Sequence, residues 1–78
     1  MIEQDVVVYV SNNCRQCNKV LSLLEDGNVP YTKKNTSVNK DYMKELQGER
    51  IYGTPATFVN NEIVLGMQKS KLQRVLGI

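Results

Sequence analysis

Val6-Val7-Val8-Tyr9-Val10 is the clearest apolar run in the chain. Its residues are β-branched or aromatic and do not alternate with polar ones, which predicts a strand covered on both faces. Ser11-Asn12-Asn13 breaks the run with turn and cap chemistry. From Arg15 the period changes. Cys17, Val20, Leu21 and Leu24 fall on one helical face, while Arg15, Lys19, Ser22 and Glu25 fall on a more exposed one. Asp26-Gly27-Asn28 stops this helix.

The next segment, Val29-Pro30-Tyr31-Thr32-Lys33-Lys34, predicts a weaker strand whose proline suits its start or an edge. Asn35-Thr36-Ser37 offers caps for a second helix, with Val38, Tyr42 and Leu46 on one side and Met43 beside them. Gly48 ends that helix, and Gly53-Thr54-Pro55 forms a rigid turn. Ala56–Val59 and Glu62–Leu65 read as a hairpin closed by Asn60-Asn61. After Gly66 a last helix turns Leu72, Val75 and Leu76 inward. The order β-α-β-α-β-β-α predicts an α/β fold, a mixed four-stranded sheet flanked by three helices. Its first two strands should be parallel and its last two antiparallel.

Seventy-eight residues make one domain, 1–78, whose apolar runs must share one modest core. Four Tyr, one Phe and no Trp leave no broad platform for stacking bases, and a net charge of +2 is spread among mixed signs. Neither nucleic acid nor a membrane surface is therefore expected as a partner. The run at 6–10 is too short for a signal or a span, and Glu3 and Asp5 precede it. These features place the chain in the cytoplasm. In that reducing compartment a lone close cysteine pair is catalytic or metal-binding rather than a permanent staple. Without His and without further Cys, one chain is not expected to build a four-ligand zinc site, so no metal is assigned.

The pair is Cys14-Arg15-Gln16-Cys17, placed where the first strand gives way to a helix. Helix-start N–H groups and the helix dipole stabilise a thiolate, so Cys14 is expected to be a nucleophile with a pKa below the ordinary value of about 8.5. Arg15 either adds positive field or points to solvent. Cys17, one turn on, shares the apolar face and would resolve a mixed disulfide formed at Cys14. Thr54-Pro55 has two readings: a cis bond that presents Thr54 backbone beside the dithiol, or an ordinary turn that starts a strand.

With these residues in view, the whole chain resembles the glutaredoxin-like redoxins of the thioredoxin fold. The resemblance rests on the strand 6–10, the CRQC motif, the segment GTPATFVNNEIVLG and the closing helix. It points most closely to the NrdH redoxins, which donate hydrogen to ribonucleotide reductase and are re-reduced by thioredoxin reductase. The resemblance implies that Cys14 is the exposed nucleophile, Cys17 the resolving thiol, Thr54-Pro55 a cis-proline segment and Gly66 a close-approach glycine. Chain order adds Arg15, Gln16 and Met67 to the substrate-binding set, beside Asn12, Asn13 and Gly53. Arg15 and Lys69 would favour an acidic tail on a partner. The chain departs from CPYC, and Gly66-Met67-Gln68-Lys69 lacks the acidic group of glutathione-binding relatives. It also lacks the Trp-Ser-Gly-Phe-Arg-Pro sequence typical of NrdH redoxins.

The leading expectation is a monomeric thiol–disulfide oxidoreductase that reduces a protein disulfide, with no cofactor beyond its own cysteine pair. Glutathione as co-substrate is the alternative. An iron–sulfur or metal-carrying dimer and a non-catalytic binding module are two further classes.

Overall fold

The computed structural model describes residues 5–78; Glu3, part of the acidic flank of the first strand, lies outside them. The chain forms β1 (Val6–Val10), α1 (Arg15–Asp26), β2 (Thr32–Asn35), α2 (Lys40–Gly48), β3 (Ala56–Val59), β4 (Glu62–Leu65) and α3 (Lys69–Leu76). The sheet order is β2-β1-β3-β4. β1 pairs parallel with β2 and antiparallel with β3, and β3 pairs antiparallel with β4. This is the expected fold.

Strand side chains alternate between faces, and the valine run therefore feeds two clusters. Val6, Val8 and Val10 join Val59, Val64, Cys17, Val20, Leu24, Leu72 and Leu76 between the sheet, α1 and α3. Tyr9, Ala56, Leu46 and Ile51 pack on the other face, with Val7, Tyr42, Met43 and Phe58 against them. Helices on both faces explain why β1 shows no polar alternation.

Both α1 and α2 end in a reciprocal carbonyl cap. After α1, Asn28 takes a left-handed φ of 54° and donates to Glu25 O, while Val29 N–H reaches back to Leu24 O at 2.9 Å. After α2, Arg50 takes φ 62° and donates to Gln47 O, while Ile51 N–H reaches Leu46 O at 3.0 Å. In each case the apolar residue following the left-handed one packs on the core and locks the exit direction.

Two boundaries differ from the sequence reading. β2 starts at Thr32 rather than Val29. Val29 N–H is committed to capping α1, Pro30 has no N–H, and the ladder begins with Val7 opposite Thr32. α2 starts later than Asn35-Thr36-Ser37 implied, with Asn39 as its cap accepting from Asp41 N–H at 2.9 Å. Asn35 Oδ1 instead accepts from Ser37 and Val38 N–H and folds a turn that leaves Val38 78% exposed. Val38 therefore has no place in the core.

On the α2 face, Glu45 Oε1 accepts from Tyr9 Oη at 2.8 Å and from Lys34 Nζ at 3.0 Å. The Tyr9 hydrogen bond, and then Lys34, hold the Glu45 carboxyl below its usual 4.5. Burial, and then Glu45, push Tyr9 above 10.0, while the Glu45 bond raises Lys34 above 10.5. A lowered carboxyl pKa stabilises the fold above the unfolded value, and that gain is lost as pH falls through the folded value. Raised Tyr9 and Lys34 values stabilise below their unfolded values and lose the gain as pH rises through the folded ones. Urea midpoints of wild type and Glu45→Gln should therefore converge below about pH 4. A difference as large at pH 3 as at pH 7 would remove this charge from the account.

Thr57 is fully buried, and its hydroxyl has no hydrogen-bond partner. It lies between Val8 and Val64 in register, on the face covered by α1 and α3. An unpaired buried hydroxyl costs about 1–3 kcal/mol. Thr57→Val keeps the branched shape and should raise stability by about 1 kcal/mol in urea denaturation. A loss of stability would show that the hydroxyl is in use.

Candidate active site

The break after β1 sets the position of the dithiol. Asn13 turns the chain with φ 56°, and Cys14 then caps α1 in extended geometry. Cys14 Sγ accepts from Cys17 N–H at 3.1 Å. The two cysteines form a disulfide with Cα atoms 5.2 Å apart. Cys14 is partly exposed, whereas Cys17 is 1% exposed and belongs to the core cluster. Cys14 thus stands nearer the surface at the helix start, and Cys17 is enclosed by the core. An N–H directed at Cys14 Sγ, with the helix dipole behind it, favours negative charge on that sulfur.

The loop carrying the dithiol is tied to its neighbours on both sides. Asn12 N–H donates to Ser37 Oγ at 3.0 Å, and Asn35 Nδ2 donates to Asn12 Oδ1 at 3.1 Å. Thr36 hydrogen-bonds to Val10 O through its backbone N–H at 2.8 Å and its hydroxyl at 3.0 Å. Ser11 Oγ and Thr54 Oγ1 lie 2.7 Å apart. The residues read as α2 caps thus hold the active-site loop instead. Ser11, read as turn chemistry only, is the tie to the proline loop. No local pattern announces a pair 43 positions apart.

The Thr54-Pro55 bond is cis. Pro55 is buried at the start of β3, and its carbonyl accepts from Gly66 N–H at 2.9 Å. Gly66 has φ 72°, and a Cβ there would sit 3.5 Å from Gln16 Oε1. The left-handed backbone explains the glycine, since any L side chain would be strained. Gly66 therefore links the proline loop to the dithiol loop. Met67 packs against the same core cluster as Cys14. Arg15 and Gln16 are exposed on the first turn of α1. Among the described residues, Arg15 has no ion pair.

A sequence model of the glutaredoxins matches residues 6–64, three quarters of the chain. The chain belongs to the glutaredoxin family. No curated protein matches its sequence. Among solved structures, the thioredoxin-like protein BC3987 is 29% identical with a TM-score of 0.87, covering 92% of this chain and all of its own. Methanoredoxin of Methanosarcina acetivorans is 19% identical at TM-score 0.88, covering 97% of this chain and 87% of its own. The NrdH-redoxin of Escherichia coli is 16% identical at TM-score 0.83, covering 90% and 92%. The last two share the fold with this glutaredoxin and carry no argument beyond it. The expectation that NrdH redoxins stand nearest is overturned, since BC3987 and methanoredoxin both superpose better.

The cysteine pair is the redox centre, and this domain is built for thiol–disulfide chemistry in general. No helix among the described residues is long and apolar enough to cross a membrane.

Proposed function

We propose that this glutaredoxin is a cytoplasmic, monomeric dithiol donor that reduces disulfides in proteins. The observation carrying the reading is the asymmetry of the pair: Cys14 caps α1 at the surface while Cys17 is buried directly behind it. The reduced Cys14 thiolate attacks one sulfur of the substrate disulfide, and the other substrate sulfur leaves as a thiolate. Cys17 loses its proton and attacks Cys14 Sγ. The second substrate thiolate then leaves, and Cys14–Cys17 closes. Two electrons pass to the substrate, and an external reductant must return them.

Thr54 supports a polypeptide substrate. Among the described residues its backbone N–H and C=O enter no backbone hydrogen bond, although its neighbour Pro55 is tied down. An extended segment laid beside it can pair with both groups. Ribonucleotide reductase is one candidate substrate. Arg15 and Gln16 lie between the two cysteines in the chain, Gly66 approaches Gln16, and Met67 packs against the cluster that Cys14 also touches.

The test is NADPH consumption with a model disulfide, driven either by thioredoxin reductase or by glutathione with glutathione reductase. Turnover through thioredoxin reductase alone is expected, because the segment from Gly66 to Lys69 offers no carboxylate for the glutathione amine. Turnover with glutathione only would make the protein a glutathione-dependent member of its family.

A further inference from the structure

The ladder between β1 and β3 ends at Tyr9 opposite Ala56. Continued in the same register, Val10 faces Pro55 and Ser11 faces Thr54. Backbone pairing does not follow. Pro55 has no N–H, its carbonyl accepts from Gly66, and Val10 O accepts from the N–H and hydroxyl of Thr36. The pairing passes to side chains instead, where Ser11 Oγ and Thr54 Oγ1 lie 2.7 Å apart. Both residues are half-buried, which limits competition from water. Among the described residues this is the only hydrogen bond joining the loop 11–14 to the loop 52–55.

Thr54 depends on that bond for its setting. Ile51 is buried with its N–H bonded to Leu46 O, and Pro55 is buried with its carbonyl held by Gly66. Between these fixed points Tyr52 and Gly53 are exposed, and nothing beyond its chain neighbours lies within 4 Å of where a Gly53 Cβ would stand. Packing therefore does not fix the approach to Thr54. The residue is anchored through Pro55 on one side and through its own hydroxyl on the other. The two peptide groups that meet at its Cα carry the N–H and C=O offered to a polypeptide.

Resting on the protein-disulfide reading above, we infer that Ser11 is a positioning residue, whose hydroxyl holds Thr54 so that both backbone groups meet an extended substrate segment laid beside the dithiol. Ser11 takes no part in the exchange itself and acts through Thr54. The loop that ends at the nucleophile Cys14 thus also carries the group that aligns the docking strip, and the two keep one spacing. A peptide gains from this alignment. A small disulfide without peptide groups does not.

The test uses the reduced protein and the peptide Ala-Gly-Cys-Gly-Ala, its cysteine in mixed disulfide with 2-nitro-5-thiobenzoate. Cys14 attacks the peptide sulfur, the bond to the aryl sulfur breaks, and the coloured thiolate leaves. A second peptide is methylated on its backbone nitrogens and cannot donate to Thr54 C=O. Each rate is divided by that for the mixed disulfide of 2-mercaptoethanol with the same aryl thiol, which corrects for Cys14 reactivity. Wild type should favour the unmethylated peptide roughly fivefold, the factor that matches one ordinary hydrogen bond. Ser11→Ala should bring the ratio close to one. Ser11→Thr, which restores a hydroxyl, should recover it. Thr54→Val should match Ser11→Ala, and the two together should lose no more than either alone.

A wild-type preference that survives in Ser11→Ala would overturn the inference and leave polypeptide docking intact. Additive losses in the double variant would overturn it as well. Equal normalised rates for the two peptides in wild type would remove backbone pairing at Thr54, and this inference with it. Slow reaction of both peptides beside rapid reaction of the small disulfide would sink the protein-substrate reading itself.

Discussion

Cys14→Ser is expected to abolish disulfide reduction, lowering turnover by more than roughly a thousandfold. A serine hydroxyl remains protonated at neutral pH and gives no nucleophile at the helix start. Cys17→Ser should act differently. Cys14 can still attack, but the resolving sulfur is gone, and a mixed disulfide with the substrate accumulates. Mass spectrometry after mixing with a model disulfide checks both, through an adduct on Cys14 in Cys17→Ser and none in Cys14→Ser. The burial of Cys17 makes this assignment one-way. A sulfur 1% exposed cannot receive a protein disulfide from outside unless α1 moves. An adduct found on Cys17 in Cys14→Ser would reverse the roles of nucleophile and resolving thiol.

Leu24→Ala should cost about 2–5 kcal/mol in urea denaturation. Leu24 is fully buried among α1, α3 and the sheet, and its carbonyl receives the Val29 N–H that closes the helix. Removing its side chain opens a cavity between layers with little freedom to collapse. A domain of this size is stable by only about 4–12 kcal/mol, so much of the total is at stake. Val38→Ala is the control, since an apolar residue at 78% exposure should change stability by less than about 0.5 kcal/mol. A Leu24→Ala cost under about 1 kcal/mol would mean that the core repacks far more easily than its density suggests.

The elements that were legible in the sequence are those specified locally. The valine run, the dithiol at a helix start and the hairpin of β3 and β4 each carry their pattern within a few residues. What was hidden depends on distant partners. Asn35, Thr36 and Ser37 have the chemistry of helix caps, yet Asn12 and Val10 recruit them across the sheet, and Asn39 caps α2 instead. Val29 reads as strand, but the end of α1 claims its N–H. The two readings of Thr54-Pro55 were evenly balanced on local sequence, and the cis form emerges only with the loop in place. Subfamily was beyond the reach of a motif that spans four residues.

The tie between Ser11 and Thr54, and that between Pro55 and Gly66, have a consequence for the order in which the chain is made. A ribosome delivers both cysteines early, but Thr54, Pro55 and Gly66 arrive only after most of the polypeptide has been synthesised. A nascent chain stopped after α2 carries the full dithiol and neither of these ties. The bracing of the dithiol loop by Thr54 is thus completed only near the end of synthesis.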